Sequence, residues 1–159
     1  MPGTLTHSPA DILARILVEL ELGVTPEANS LTRWQIFIGN EPDLPDEVIT
    51  IYDTAGSDEG RVMADGERQE HHGIQARVRS RTHQGGWERI RRIALALDED
   101  IYQYPLEIVG HNYLTHCLSV VGRVNRLQGG IGGKASAGVI ADSNLYVFTV
   151  NALMSVREV

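Results

Sequence analysis

Cysteine is almost missing from this chain. Cys117 is the only one, which rules out an internal disulfide and a thiolate metal cluster. It lies in the apolar-leaning run "THCLSVVGRV", where a buried, inert thiol is the favoured reading over a reactive one. Long apolar runs are missing too. No segment reaches the roughly 18 residues of a membrane span. The N-terminus lacks the basic-then-apolar pattern of a secretion signal. The expectation is a protein without a membrane partner, made and kept in a reducing cytoplasm or delivered from there into an assembly. A basic excess is also lacking: the formal net charge is -7. General nucleic-acid binding, which wants a dominant basic footprint, is disfavoured.

The charge that is present is uneven. Residues 1–70 hold 14 acidic and 4 basic side chains, a balance of -10, whereas residues 71–159 hold 7 and 10, a balance of +3. Such asymmetry can steer one surface onto its opposite on a neighbouring copy. At 159 residues the chain reads as one domain spanning 1–159, able to bury roughly 70% of its extended surface without a metal or disulfide staple.

The first helix announces itself at Ser8-Pro9-Ala10-Asp11: a capping serine, a proline at the first helical position and an acid near the positive helix end. Ile12, Leu13, Ile16, Leu17 and Leu20 follow at helical spacing, predicting a helix over 9–22 that ends at Gly23 and Pro26. "WQIFIG" (34–39) and "VITIYD" (48–53) read as strands, the second central because both its faces are apolar. The polar run 54–72 reads as a loop. In "GIQARVRSR", Ile74, Ala76 and Val78 alternate with Gln75, Arg77, Arg79 and Arg81, the period of a sheet with one dry face. Trp87, Ile90, Ile93, Ala94, Leu97 and Ile101 then mark a helix over roughly 84–101, with Glu88 and Arg92 spaced for a surface ion pair. Two further strands are expected near 113–124 and 144–152, joined by the glycine-rich "LQGGIGGKASAG". The sum is an α+β domain, a mixed, mostly antiparallel sheet with two helices packed on one face.

Chemical sites are hard to assemble from these residues. "DTAGSDEGR" (53–61) resembles the acidic side of a nucleotide site, but that chemistry needs a phosphate cradle, G-x-x-x-x-G-K-[ST]. The glycine-rich Gly129–Ser136 comes after the acidic motif, and Ala135 stands where the magnesium hydroxyl belongs. His71 and His72 are adjacent and would face opposite ways in a strand; His111 and His116 have no nearby acidic ligand in sequence. No serine elbow is present. The expectation is therefore no catalysis, no metal and no cofactor. Arg77, Arg79 and Arg81 form a row about 13 Å long, suited to phosphates or to carboxylates of a neighbouring subunit. An ordinary solvated strand face is the simpler alternative.

The run "PDEVITIYDTAG" (45–56), followed by the strand "IQARVRSR" and an amphipathic helix, resembles tailed-phage minor capsid proteins of the tail-terminator type. The resemblance rests on residues 45–97 and covers most of the chain in outline. It implies a homohexameric ring that caps the tail tube, stops its polymerisation and offers the filled head a docking surface. The implied partners are copies of itself, a tail tube protein and a head-completion or neck protein. DNA would pass through the lumen without sequence-specific binding. On this reading Arg77, Arg79 and Arg81 are subunit-interface candidates meeting carboxylates of the acidic first half. Asp58, Glu59 and Arg61, with Gly130, Gly132 and Lys134, are docking-loop candidates. Asp53 and Gly56 form a strand-ending turn. Another neck component (a head-closure protein or adaptor) is the runner-up, and a small nucleotide hydrolase a distant third.

Overall fold

The computed structural model of the chain describes residues 5–61, 68–127 and 145–159. Two helices lie on one face of a mixed sheet, as the alternating and helical periods predict. In chain order the elements are α1 (Pro9–Glu19), β1 (Gln35–Ile38), β2 (Val48–Arg61), β3 (Arg68–Ser80), α2 (His83–Leu95), a π-helical turn (Ala96–Asp100), β4 (Tyr104–Ile108), β5 (His111–Leu127) and β6 (Tyr146–Glu158). The strands are ordered β1-β2-β3-β6-β5-β4. Among the described strands only the β1–β2 pair is parallel.

The start of α1 follows its sequence signals. Ser8 Oγ accepts from the Asp11 amide at 3.2 Å, and Pro9 occupies the first turn. The end comes earlier than Gly23. Glu21 takes a left-handed φ of 60°, and its amide bonds to the Val18 carbonyl while that of Leu22 bonds to Leu17. This is the paired capping pattern that usually employs glycine. Gly23 serves another purpose: a Cβ there would lie 2.5 Å from the Ile36 side chain.

Ile12, Leu13, Ile16 and Leu17 of α1, Ile90 and Ile93 of α2 and Leu97 of the π turn are fully buried. They pack on the sheet face made by Ile49 and Ile51, by Ile74, Ala76 and Val78, and by Phe148, Val150 and Ala152. The stripe on α2 is the one its sequence predicts, continuing through the π turn to Ile101, whose amide reaches back to the Ala96 carbonyl at 3.0 Å. Glu88 bonds to Gln84 at 2.9 Å and makes no ion pair with Arg92.

The largest departure from expectation is the predicted 54–72 loop. β2 runs on to Arg61 and β3 begins at Arg68, so most of that polar run is paired strand. β3 meets β6 only from His72 onward. Among the described residues, 55–61 and 68–71 therefore have only each other as strand neighbours, and form a two-stranded arm beyond the body of the sheet. Their sequence is polar throughout, so it lacks the apolar alternation used to recognise strands.

β4 was not foreseen. Its five residues include Pro105, which an edge strand tolerates because its outer side needs no amide donor. Val109 and Gly110, both at positive φ, close the β4–β5 hairpin in the two-residue turn that suits strand twist.

Gly56 sits where the β2–β3 register shifts between Thr54 and Ser57. A Cβ on Gly56 would fall 1.9 Å from the His71 carbonyl oxygen. Gly56→Ala is expected to destabilise the protein by about 1–3 kcal/mol, read by urea unfolding. Hydrogen-exchange protection should fall first at residues 55–57 and 70–73.

Candidate functional site

Asp53 and Gly56 do not form the expected strand-ending turn. Both lie within β2, whose pairing with β3 continues past them through a bulge. Asp53 does accept from a backbone amide, but from Ala10 at the start of α1, at 2.9 Å. It thus satisfies one of the orphan donors of the helix N-terminus and ties α1 to the sheet. Asp58, Glu59 and Arg61 lie along the β2 side of the arm, not in a loop. Gly130, Gly132 and Lys134, with the whole 128–138 segment, lie outside the described residues.

The arginine row is paired within the chain. Arg79 is 4% exposed, and its Nη2 donates to the carbonyls of Pro42, Asp43 and Pro45 at 2.8, 3.1 and 2.8 Å. Its Nε donates to the Asp46 carbonyl at 3.1 Å, and Nη1 lies 3.7 Å from Glu41 Oε2. Arg77 Nε approaches Glu41 Oε1 at 3.4 Å, close enough for charge attraction but misaligned for a hydrogen bond. Arg81, beyond the strand end, remains largely exposed and pairs with Asp46 Oδ2 at 2.6 Å. The period-two reading placed these side chains correctly opposite the helices. It missed that residues 41–47 fold over that face as a strap, so Arg79 is not available to a neighbouring subunit. The partners are carboxylates and carbonyls of the acidic first half, as the charge asymmetry suggests, but of the same chain.

A second basic cluster escaped the sequence reading. Arg33 and Arg89 flank the Trp34 ring, 5.5 and 4.8 Å from its centroid, and Arg89 Nη1 donates to the Leu22 carbonyl at 3.0 Å. With Arg92, Glu88 and Gly85 they line a cavity of about 160 Å³. Arg33 is also paired with Glu47. The Arg89 guanidinium is held below its ordinary value, first by burial, then by repulsion from Arg92 and Arg33. Arg89 and Arg92, one helical turn apart, were legible as a pair on one helix face; Arg33 arrives from a distant segment, which no local spacing reveals.

His7, His71 and His111 are hydrogen-bonded, and His83 and His116 are ring-packed. His7 Nδ1 lies 2.6 Å from the Tyr113 hydroxyl and His111 Nδ1 2.7 Å from Glu158 Oε1. The acidic neighbour of His111 is thus supplied by β6, far away in sequence. Among the described residues no group of three or more potential ligands is arranged for a metal. Cys117 is half-buried, and burial pushes its thiol up to about 11, helped by the nearby Asp98.

A family model described as bacteriophage tail terminator protein matches residues 17–157. The chain belongs to that family. Tail terminator proteins are structural, so this is a virion-assembly protein acting at the head–tail junction, and not an enzyme. Among curated proteins, nothing matches. One solved structure, whose title states no function, is similar over 94% of this chain and 97% of its own, at 15% identity and a TM-score of 0.43. A likeness that distant carries no argument.

Two expectations follow for this tail terminator. Arg79→Ala should cost about 3–5 kcal/mol in urea unfolding, because it strips the strap carbonyls and Glu41 of their donor. Arg79→Lys recovers only part, since an ammonium cannot reproduce the fork, while Arg81→Ala stays within about 1 kcal/mol of the parent. Alkylation of Cys117 at pH 8 should run about a hundredfold slower than for a free thiol, from its smaller thiolate fraction alone; a rate near that of a free thiol would contradict the burial.

Proposed function

We propose that six copies of the chain assemble into a ring that caps the tail tube, ends its polymerisation and offers the filled head a docking surface. The family match across residues 17–157 carries this reading. The β2–β3 arm supports it physically. A polar two-stranded ribbon with no third strand among the described residues is marginal in water, and it gains stability when it docks. Asp58, Glu59 and Arg61 lie on that arm and are the residues we assign to contact with the tail tube protein.

Of the arginine row, Arg81 is carried forward as a subunit-interface residue, because its side chain stays 71% exposed beside Asp46. A head-completion or neck protein takes the opposite side of the ring. DNA passes through the lumen unread, and an acidic wall there suits passage, since phosphates gain nothing from carboxylates. Assembly takes place in the host cytoplasm before the head arrives.

Light scattering with negative-stain imaging of the purified chain tests this directly. The expected result is a hexamer's mass and a ring with a central channel. In particles, a tag should label the head-proximal end of the tail, and tails made without the chain should exceed their normal length. A tag found on tail-free heads would favour the head-closure or adaptor role. A chain that stays single both in solution and in particles would remove the assembly reading altogether.

A further inference from the structure

The strand order ends at β1 and β4, and both are poor templates for another strand, the outer side of β1 being already bridged by Val24 at Gln35. β1 has four residues, and β4 has five with a proline among them. Short, proline-bearing edges resist edge-to-edge pairing. At these two ends, contacts between copies fall to side chains, and two unlike surfaces stand beside them.

Beside β1, the Arg33, Arg89 and Arg92 cavity adjoins a second one of about 470 Å³, lined by Leu31, Leu44, Arg33 and Arg81 among others. Leu31 and Leu44 are 70% and 62% exposed. Glu47 and Asp46 answer Arg33 and Arg81, and Glu88 is engaged by Gln84. Arg92 has no carboxylate partner among the described residues. The cations are in excess here, consistent with Arg92 and Arg33 acting on Arg89 more strongly than Glu47 and Glu88 do.

Leading into β4 is a surface of opposite character. Asp98, Glu99 and Asp100 are all exposed and form no ion pair among the described residues. Leu95 and Tyr102, 43% and 67% exposed, flank them. The Tyr102 ring is held edge-on to His116, with centroids 4.8 Å apart; a pre-positioned aromatic beside charges is the composition of an interface anchor. Three carboxylates at the C-terminal end of a helix oppose its macrodipole, and the turn that carries them is π-helical, a form enriched at functional positions. Local stability does not account for this placement.

We infer that the acidic 95–102 turn of one copy docks against the arginine-and-leucine surface beside β1 of the next. Each surface offers what the other lacks: unmatched carboxylates between apolar side chains on one, and excess guanidinium with exposed leucines on the other. The leucines and Arg33 stand beside β1 and the acidic turn leads into β4, the two ends of the strand order. Arg92 lies nearer, seven residues before Glu99 along α2 and the π turn that continues it, about 10 Å of helix rise away. Two different patches on one subunit make a head-to-tail contact, the kind that closes into a ring when the rotation permits. This inference rests on the self-assembly reading above and specifies its interface.

Arg92→Glu and Glu99→Lys, each on an exposed side chain, test it in the full chain, with thermal melts confirming that each variant folds. Sedimentation should show self-association weakened at least about tenfold by either change, and parental association weakening as salt rises. The chain carrying both changes should regain most of the parental association, since the charges are exchanged and not lost. As a second readout, a Tyr102→Cys chain mixed with a Leu44→Cys chain should form an oxidised heterodimer. Assembly unaffected by both reversals, with no Leu44–Tyr102 cross-link, would overturn this interface yet leave the ring intact. A parental chain that never associates would remove the ring and the interface together.

Discussion

A guanidinium taken out of water costs several kcal/mol unless its donors are answered, and the far side of this sheet is organised around answering one. Arg79 stands on β3 facing away from the helices, where Val48, Thr50 and Thr149 are also buried. Its fork gathers four carbonyls from residues 42–46, holding the strap across a face that the alternation alone would leave wet. The strap delivers Glu47 to Arg33 and Asp46 to Arg81. It also leads directly into β2. The placement of the β1-side surface thus depends on a single buried cation and the backbone it organises.

What could be read from the sequence followed from how locally each signal is encoded. The dry face of β3, the inward stripe of α2 and the Ser8 cap are set by neighbours within a turn or two, and the structure reproduces them. The strap was illegible because its order comes from Arg79, more than thirty residues later in the chain, and "NEPDLPDE" by itself is only a break. The arm was illegible for a different reason: paired polar strands carry no hydrophobic period, so Thr54 to His72 resembles a loop until its partner strand is known. The same applies to His111, whose carboxylate partner Glu158 sits 47 residues away.

The charge asymmetry was a correct observation whose use is divided. Part of the acidic first half is spent inside the subunit: Asp53 on the α1 amide, Glu41 against Arg77 and Arg79, Asp46 on Arg81, Glu47 on Arg33. These four of the fourteen acids of residues 1–70 are engaged locally, while the net charge of -7 is unchanged by such pairing. It is the charge left unpaired, and not the gross imbalance, that has free energy left to give on meeting another molecule.

The strand order ends in the two shortest strands, β1 and β4, which are unattractive templates for any further strand. That arrangement has a consequence for an assembly protein. Backbone pairing between copies would be indifferent to register and could extend without limit, whereas side-chain patches fix one rotation and one neighbour on each side. For the proposed role of ending a polymer, an interface that closes on itself and leaves nothing to extend is the physically consistent choice. In the ring we propose, the unlike charged surfaces permit association while the short end strands β1 and β4 offer little to open-ended growth.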